Sequence, residues 1–259
     1  MPEISLRMFP HISPDPVFPM AAYFETLSRA LGPMHWWPAR TRFEVIVGAI
    51  LTQNTGWSNV ERALTNLKRA GLLTPRAIEN VSVARLRNLI RPSGYFQQKT
   101  KTLKAFVRFM RINYDGSLTR MFRTPTAELR LKLLAVRGIG PETADSILLY
   151  AGKHATFVVD AYTHRILSRH GITTGKPDYE AVRALFEQSL PRDAHTYNEF
   201  HALLVNVGKN WCRPREPRCS ECPLERYLPA GSATRAENAA ALLGADTLSY
   251  ARTLSRGAL

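Results

Sequence analysis

The sequence predicts an all-α protein, and three observations lead there. Apolar residues recur at the three-to-four spacing of amphipathic helices in one segment after another. Glycine and proline fall at the joints between those segments rather than inside them. Strand signals are nearly absent, Thr156 to Val159 being the one short β-branched run.

Taken in order, residues 1–19 carry five prolines and no periodicity, and read as an irregular leader. Tyr23, Leu27, Ala30 and Leu31 then mark an amphipathic helix that Gly32-Pro33 ends. His35-Trp36-Trp37-Pro38 reads as a loop. Phe43 to Leu51 is almost wholly apolar and reads as a buried helix, stopping at the polar cluster Thr52-Gln53-Asn54-Thr55. Helices are expected over Asn59 to Ala70, Pro75 to Asn80 and Val83 to Ile90, with breaks at Gly71 and Pro92-Ser93-Gly94. Lys99 to Asn113, Pro125 to Val136 and Pro141 to Ala151 continue the series. Ala161 to His170, Tyr179 to Ser189 and Tyr197 to Lys209 complete it. Past Pro229 the chain turns Ala-, Ser- and Arg-rich, with Glu237 to Leu243 weakly helical, so 229–259 is expected to be a tail or a lone helix.

Composition bounds the function. The 259 residues hold 35 Lys+Arg against 21 Asp+Glu, a formal net charge of +14. At 45% hydrophobic the chain is globular rather than disordered, and long enough for two cores. Its longest apolar run, Val45 to Leu51, is far short of the roughly 20 residues that cross a bilayer. No apolar stretch near the start reads as a secretion signal, so the protein is expected in the cytoplasm, at the nucleoid in a bacterium. A charge this positive points to a polyanionic partner, nucleic acid first, against the alternative of a surface kept basic for solubility. The three cysteines, Cys212, Cys219 and Cys222, crowd one short window, which is not a disulfide framework and suggests metal ligation.

The most specific segment is Leu134-Ala135-Val136-Arg137-Gly138-Ile139-Gly140-Pro141-Glu142-Thr143-Ala144. One helix ends, two glycines bracket Ile139, and the next helix opens with Pro141 at its first position, where the missing N–H costs nothing. Glycine permits positive φ and close approach of backbone N–H groups, so Gly138, Ile139 and Gly140 read as a nest for an anion such as a DNA phosphate. A tight corner between helices is the plainer alternative. Sixteen residues after Glu142, Val158-Val159-Asp160-Ala161-Tyr162 places an aspartate between a β-prone run and a helix.

This order of hairpin, loop and aspartate resembles the helix-hairpin-helix DNA glycosylase superfamily, and within it the endonuclease III-like group, over roughly Ala21 to Leu224. Three more stretches carry the likeness: Phe43 to Gln53, Ser93-Gly94-Tyr95-Phe96-Gln97-Gln98-Lys99, and Cys212-x6-Cys219-x2-Cys222. The resemblance implies two helical lobes flanking a DNA-binding cleft, with 20–40 plus 152–228 as one lobe and a six-helix barrel over 41–151 as the other. It also implies damaged double-stranded DNA as the partner, and a protein acting as a monomer.

By the same resemblance Asp160 is the carboxylate that stabilises the sugar cation as a base departs, and it orients or deprotonates water. Read alone, Asp160 is equally an N-cap for the helix from Ala161. Bifunctional members carry a nucleophilic lysine where this chain has Glu142, so the chain resembles a monofunctional glycosylase without lyase activity. Trp36, Trp37 and Trp57 resemble pocket walls of the 3-methyladenine glycosylase branch, suited to a cationic alkylated base, with packing as the plain alternative. Lys209 is a further pocket candidate, expected to be paired or neutralised if it lies there. Gln53 and Tyr95 match positions that insert into the duplex. Lys99, Lys101, Lys104, Arg137 and Arg165 are candidate phosphate contacts. Cys212, Cys219 and Cys222 match the family's iron–sulfur loop, but its fourth cysteine is Leu228 here. Either a cluster is completed in another way or the loop stands without one; zinc would want a histidine, and His201 is eleven residues upstream of Cys212. The expected function is release of alkylated purines, 3-methyladenine foremost, in base excision repair. The alternatives are a glycosylase for oxidised or mismatched bases and a non-catalytic lesion-binding protein.

Overall fold

The computed structural model describes residues 19–34, 39–175 and 177–229. Trp36 and Trp37, and the tail beyond Pro229, lie outside the described residues. The chain is helical, and among the described residues no strand forms. The helices are α1 (Met20–Leu31), α2 (Arg42–Leu51), α3 (Trp57–Arg69), α4 (Pro75–Asn80), α5 (Val83–Ile90), α6 (Phe96–Tyr114), α7 (Leu118–Met121), α8 (Thr126–Leu134), α9 (Pro141–Ser146), α10 (Ala161–Arg169), α11 (Tyr179–Ser189) and α12 (Ala194–Asn210). The short helix α7 carries too few residues to show a period in the sequence. The last turns after α9, Ile147–Gly152, widen into a π-helix, and the β-branched run from Thr156 forms no strand.

Two compact units result. The described parts of 1–34, 159–182 and 200–259 form one, and those of 35–158 and 183–199 form the other. Sequence reading groups 183–199 with the former. The ring of Phe157 explains the difference: it stacks on Phe186 at 4.0 Å and meets Tyr197 edge-on at 5.8 Å. These aromatic contacts hold the middle of α11 and the start of α12 in the second unit.

In the second unit, α2 is buried from Phe43 to Leu51, as its unbroken apolar run predicts. Its start is closed by Thr41, whose hydroxyl accepts from the Glu44 backbone N–H at 3.1 Å, while Glu44 reaches back to the N–H of Arg40. Around it pack the apolar stripes of α3 (Val60, Ala63, Leu64, Leu67) and α6 (Leu103, Phe106, Val107, Met110). Asp145, fully buried in α9, is held by a two-point pair with Arg130 at 2.7 and 3.0 Å and by the hydroxyl of Thr156. A buried carboxylate is tolerated only when so completely paired. Glu187 continues this network, accepting from the Phe157 N–H at 2.8 Å and from Arg183.

In the first unit, Tyr23 of α1 donates or accepts a 2.6 Å bond with Nδ1 of His170, and Phe24 packs on Phe200 of α12. Gly208 in α12 leaves room for the Tyr162 ring: a Cβ there would stand 2.3 Å from it.

Candidate active site

The hairpin forms as its residues dictate. Val136 and Ile139 are buried, the Ile139 N–H donates to the Val136 carbonyl at 3.0 Å, and Pro141 opens α9. The two glycines differ, which the sequence did not distinguish. Gly138 has φ +86 and packs so closely on α6 that a Cβ would meet Thr102 Oγ1 at 2.1 Å. Gly140 has an ordinary φ of −94, and a Cβ there would meet nothing within 4 Å. Gly138 is therefore needed by the fold, while Gly140 leaves an open approach to the N-terminal end of α9. Glu142 is exposed in that first turn, where a carboxylate suits the helix dipole.

Gln53 belongs to this hairpin in the free protein. Its Nε2 donates to the Gly138 carbonyl and to Thr143 Oγ1, both at 2.9 Å, tying the turn after α2 to the Gly-Ile-Gly corner. Tyr95 is 60% exposed and sits in the left-handed region (φ 42, ψ 29) directly after Gly94, itself at φ +65. A bulky side chain held there is backbone strain at an exposed aromatic, a combination found where chains meet ligands. Trp57 opens α3, half-buried, its indole N–H donating to Glu61 at 2.8 Å.

Three of the cations expected to meet phosphate do other work. Lys99 is buried, and its Nζ donates to the carbonyls of Leu51 (2.9 Å) and Ser93 (2.6 Å). It thus caps α2 just before Gln53 and pins the turn before Tyr95; burial lowers its pKa to about 8. Lys104 donates to the carbonyls of Glu79 and Val81 at the C-terminal end of α4. Arg165 donates to the carbonyls of Cys212 (2.7 Å) and Gly208 (3.0 Å) at the end of α12. Each correction has one cause: backbone carbonyls left over at helix ends are acceptors that a nearby cation satisfies. Lys101 and Arg137 remain exposed.

Asp160 is at once a cap and a fixed carboxylate. Its Oδ1 accepts from the Thr163 backbone N–H at 2.8 Å and from the Thr163 hydroxyl at 3.0 Å, closing the start of α10. Its Oδ2 faces Nε2 of the buried His201 at 3.6 Å. Sequence reasoning considered His201 only as a zinc ligand; its approach to Asp160 joins residues 41 positions apart by number and carries no local signal. Lys209 lies exposed on the last turn of α12.

Cys212, Cys219 and Cys222 do line one cavity, together with Arg169, His170, Val207, Trp211, Glu225 and Leu228. That cavity holds only about 10 Å³, the size of a single water. The Cys212 sulfur accepts from Arg169 at 3.2 Å, and the apolar Leu228 lines the wall at the position of the family's fourth cysteine. Among the described residues no group of three or more His, Cys, Asp or Glu is arranged to hold a metal ion. This donor set does not fit a four-thiolate cluster, nor does His201 join it, since it is turned to Asp160.

The chain thus presents a glycine hairpin at one helix start and a carboxylate locked at another. Residues 47–192 match the HhH-GPD superfamily of base excision DNA repair proteins, more than half of the chain, and the chain belongs to that family. A candidate DNA repair glycosylase of Methanocaldococcus jannaschii is 48% identical over 198 residues, which span 76% of this chain and 89% of that protein. Among solved structures, the 3-methyladenine DNA glycosylase MagIII of H. pylori, bound to 1,N6-ethenoadenine, is 30% identical with a TM-score of 0.64. The match covers 71% of this chain and 96% of that one. An endonuclease III–DNA complex has a TM-score of 0.71 at 19% identity, over 82% of this chain and 94% of that one, and shows the shared fold. The protein is thus a DNA repair glycosylase, a hydrolase whose substrate is DNA. No helix among the described residues is long and apolar enough to cross a membrane.

Proposed function

We propose that this glycosylase is monofunctional and releases alkylated purines, 3-methyladenine foremost, leaving an abasic site. The observation that carries the reading is the locked carboxylate of Asp160. As the base departs with the electron pair of the C1′–N bond, positive charge grows on the sugar, and a preoriented anion lowers that barrier without having to reorganise. Water then adds to C1′, and Asp160 orients it and takes its proton. Glu142 stands where a lyase would need an amine; a carboxylate forms no Schiff base, so the strand is left intact.

The likeness to MagIII supports an alkylated purine as the target. A cationic base suits an aromatic pocket, for which Trp57, Trp36 and Trp37 are the walls in this reading, and it leaves readily without an acid to protonate it. Lys209 is proposed to border the same pocket. Gly138, Ile139 and Gly140 are proposed to grip a phosphate, with Gln53 and Tyr95 entering the duplex. The net charge of +14 supplies salt-sensitive attraction to the backbone, and the protein is proposed to act as a monomer in the cytoplasm.

The test is base release from duplex DNA carrying methylated, oxidised or mismatched bases, with Asp160→Asn as control. Release of 3-methyladenine without strand nicking is expected. Tight lesion binding without release of any base would leave the second alternative, a binding protein.

A further inference from the structure

We propose that His201 is a positioning residue for base release: through its Nε2 edge it holds the second oxygen of Asp160, so that the carboxylate meets the sugar in one orientation. The inference rests on the reading of Asp160 as the carboxylate beside the sugar.

The two oxygens of Asp160 have separate tasks. Oδ1 is occupied by the backbone N–H and the hydroxyl of Thr163, both within 3.0 Å. Oδ2 is turned toward His201 Nε2 at 3.6 Å. That separation exceeds the roughly 3.2 Å limit of a direct N–H···O bond, and catalytic contacts commonly tighten only when substrate is bound. The ring has little freedom to leave. His201 is 5% exposed, between the fully buried Phe200 and Ala202 on α12, with Leu203 and Leu204 following. A side chain packed into such a row gives a fixed reference point for Asp160, which itself begins α10 after the irregular run from Thr156.

The chemistry favours a neutral ring. Burial lowers the pKa of His201, opposed by the charge of Asp160, which faces it. A neutral imidazole with its proton on Nε2 donates one hydrogen bond and orients the carboxylate, yet leaves the negative charge available to the sugar cation. An imidazolium would cancel that charge at the moment it is needed. No proton needs to pass between the two groups.

The experiment compares His201→Leu and His201→Gln with the full-length wild type on duplex containing 3-methyladenine. Leu removes the donor at similar volume, whereas the Gln side-chain Nε2 reaches to a similar position. His201→Leu should slow single-turnover release about tenfold to a hundredfold without changing affinity for the lesion duplex. His201→Gln should return the rate to within about threefold of wild type. Full activity in His201→Leu overturns the proposal, as does equal loss of rate and affinity in both variants. If neither variant folds, ring-nitrogen NMR titration of wild type and Asp160→Asn decides. Loss of the carboxylate charge should lower the titration point of His201, and an unmoved titration overturns the contact. Asp160→Asn releasing base as fast as wild type would overturn the underlying reading itself, and is told apart because the titration point of His201 would still differ between wild type and that variant.

Discussion

The ammonium of Lys99 and the carbonyl of Leu51 lie 2.9 Å apart, inside the second unit and across 48 positions of chain. With the second bond to Ser93 at 2.6 Å, this buried lysine joins the turn that carries Gln53 to the turn that carries Tyr95. Lys99→Met keeps the stem and removes both bonds. It should destabilise the protein by about 1–3 kcal/mol, since two buried carbonyls lose their donor, and it should weaken DNA binding although Lys99 itself is buried. Urea unfolding and binding anisotropy measure the two effects. Arg at this position, longer and planar, should not rescue either one.

Gly138 and Gly140 should separate cleanly. Gly138→Ala places a Cβ on Thr102 and asks alanine to take φ +86, so a loss of about 1–3 kcal/mol is expected. Thr102→Ala should relieve part of that loss by removing the hydroxyl the new Cβ meets. Gly140→Ala should fold within about 1 kcal/mol of wild type, yet bind duplex DNA more weakly, because its methyl would fill the open approach. Thermal melts and DNA affinity, read side by side, check both.

Tyr95→Ala should leave the melting temperature nearly unchanged, because the ring is 60% exposed. Discrimination between damaged and intact duplex should fall by an amount set by lost stacking, about 1–3 kcal/mol. A variant with unaltered discrimination would remove Tyr95 from the DNA interface.

Acid should destabilise the first unit over a definite window. Burial lowers the pKa of His170 to about 4 from 6.5, and a hydrogen bond to the Tyr227 backbone only partly opposes it. The unfolded chain therefore binds a proton that the folded chain refuses between these values. Stability from the neutral ring is complete above pH 6.5 and is lost as pH falls toward 4, by up to about 3 kcal/mol. His201, shifted down by burial, adds to the same trend. Denaturant titrations at pH 7, 6, 5 and 4 should show the slope, and His170→Gln should flatten it.

As purified under anaerobic conditions, the protein should carry iron and acid-labile sulfide well below the amount needed for one cluster per chain. Colorimetric iron and sulfide assays read this directly. A full cluster complement would show that the loop rearranges away from the small cavity that Leu228 and the three cysteines line.

Local pattern made the helices legible. The apolar period of α3, the unbroken run of α2, Pro141 at the start of α9 and the cap at Asp160 each stand within a few residues of what they determine. The HhH segment was legible for the same reason. What stayed hidden was held by distant partners: the carbonyls that take up Lys99, Lys104 and Arg165, the Phe157 stack that moves 183–199 into the second unit, and His201 beside Asp160. The unlike roles of Gly138 and Gly140 were hidden too, because the positive φ of Gly138 and its packing on Thr102 of α6 leave no mark in the local sequence. A basic residue is easily assigned to DNA from sequence, since nothing nearby shows which helix end awaits it.

The double duty of Asp160 has an evolutionary consequence. Asparagine caps a helix as well as aspartate does, so Asp160→Asn can preserve α10 while abolishing the charge. On the role proposed for Asp160, a single substitution separates recognition from reaction and turns a repair enzyme into a lesion-binding descendant without a detour through unfolded intermediates.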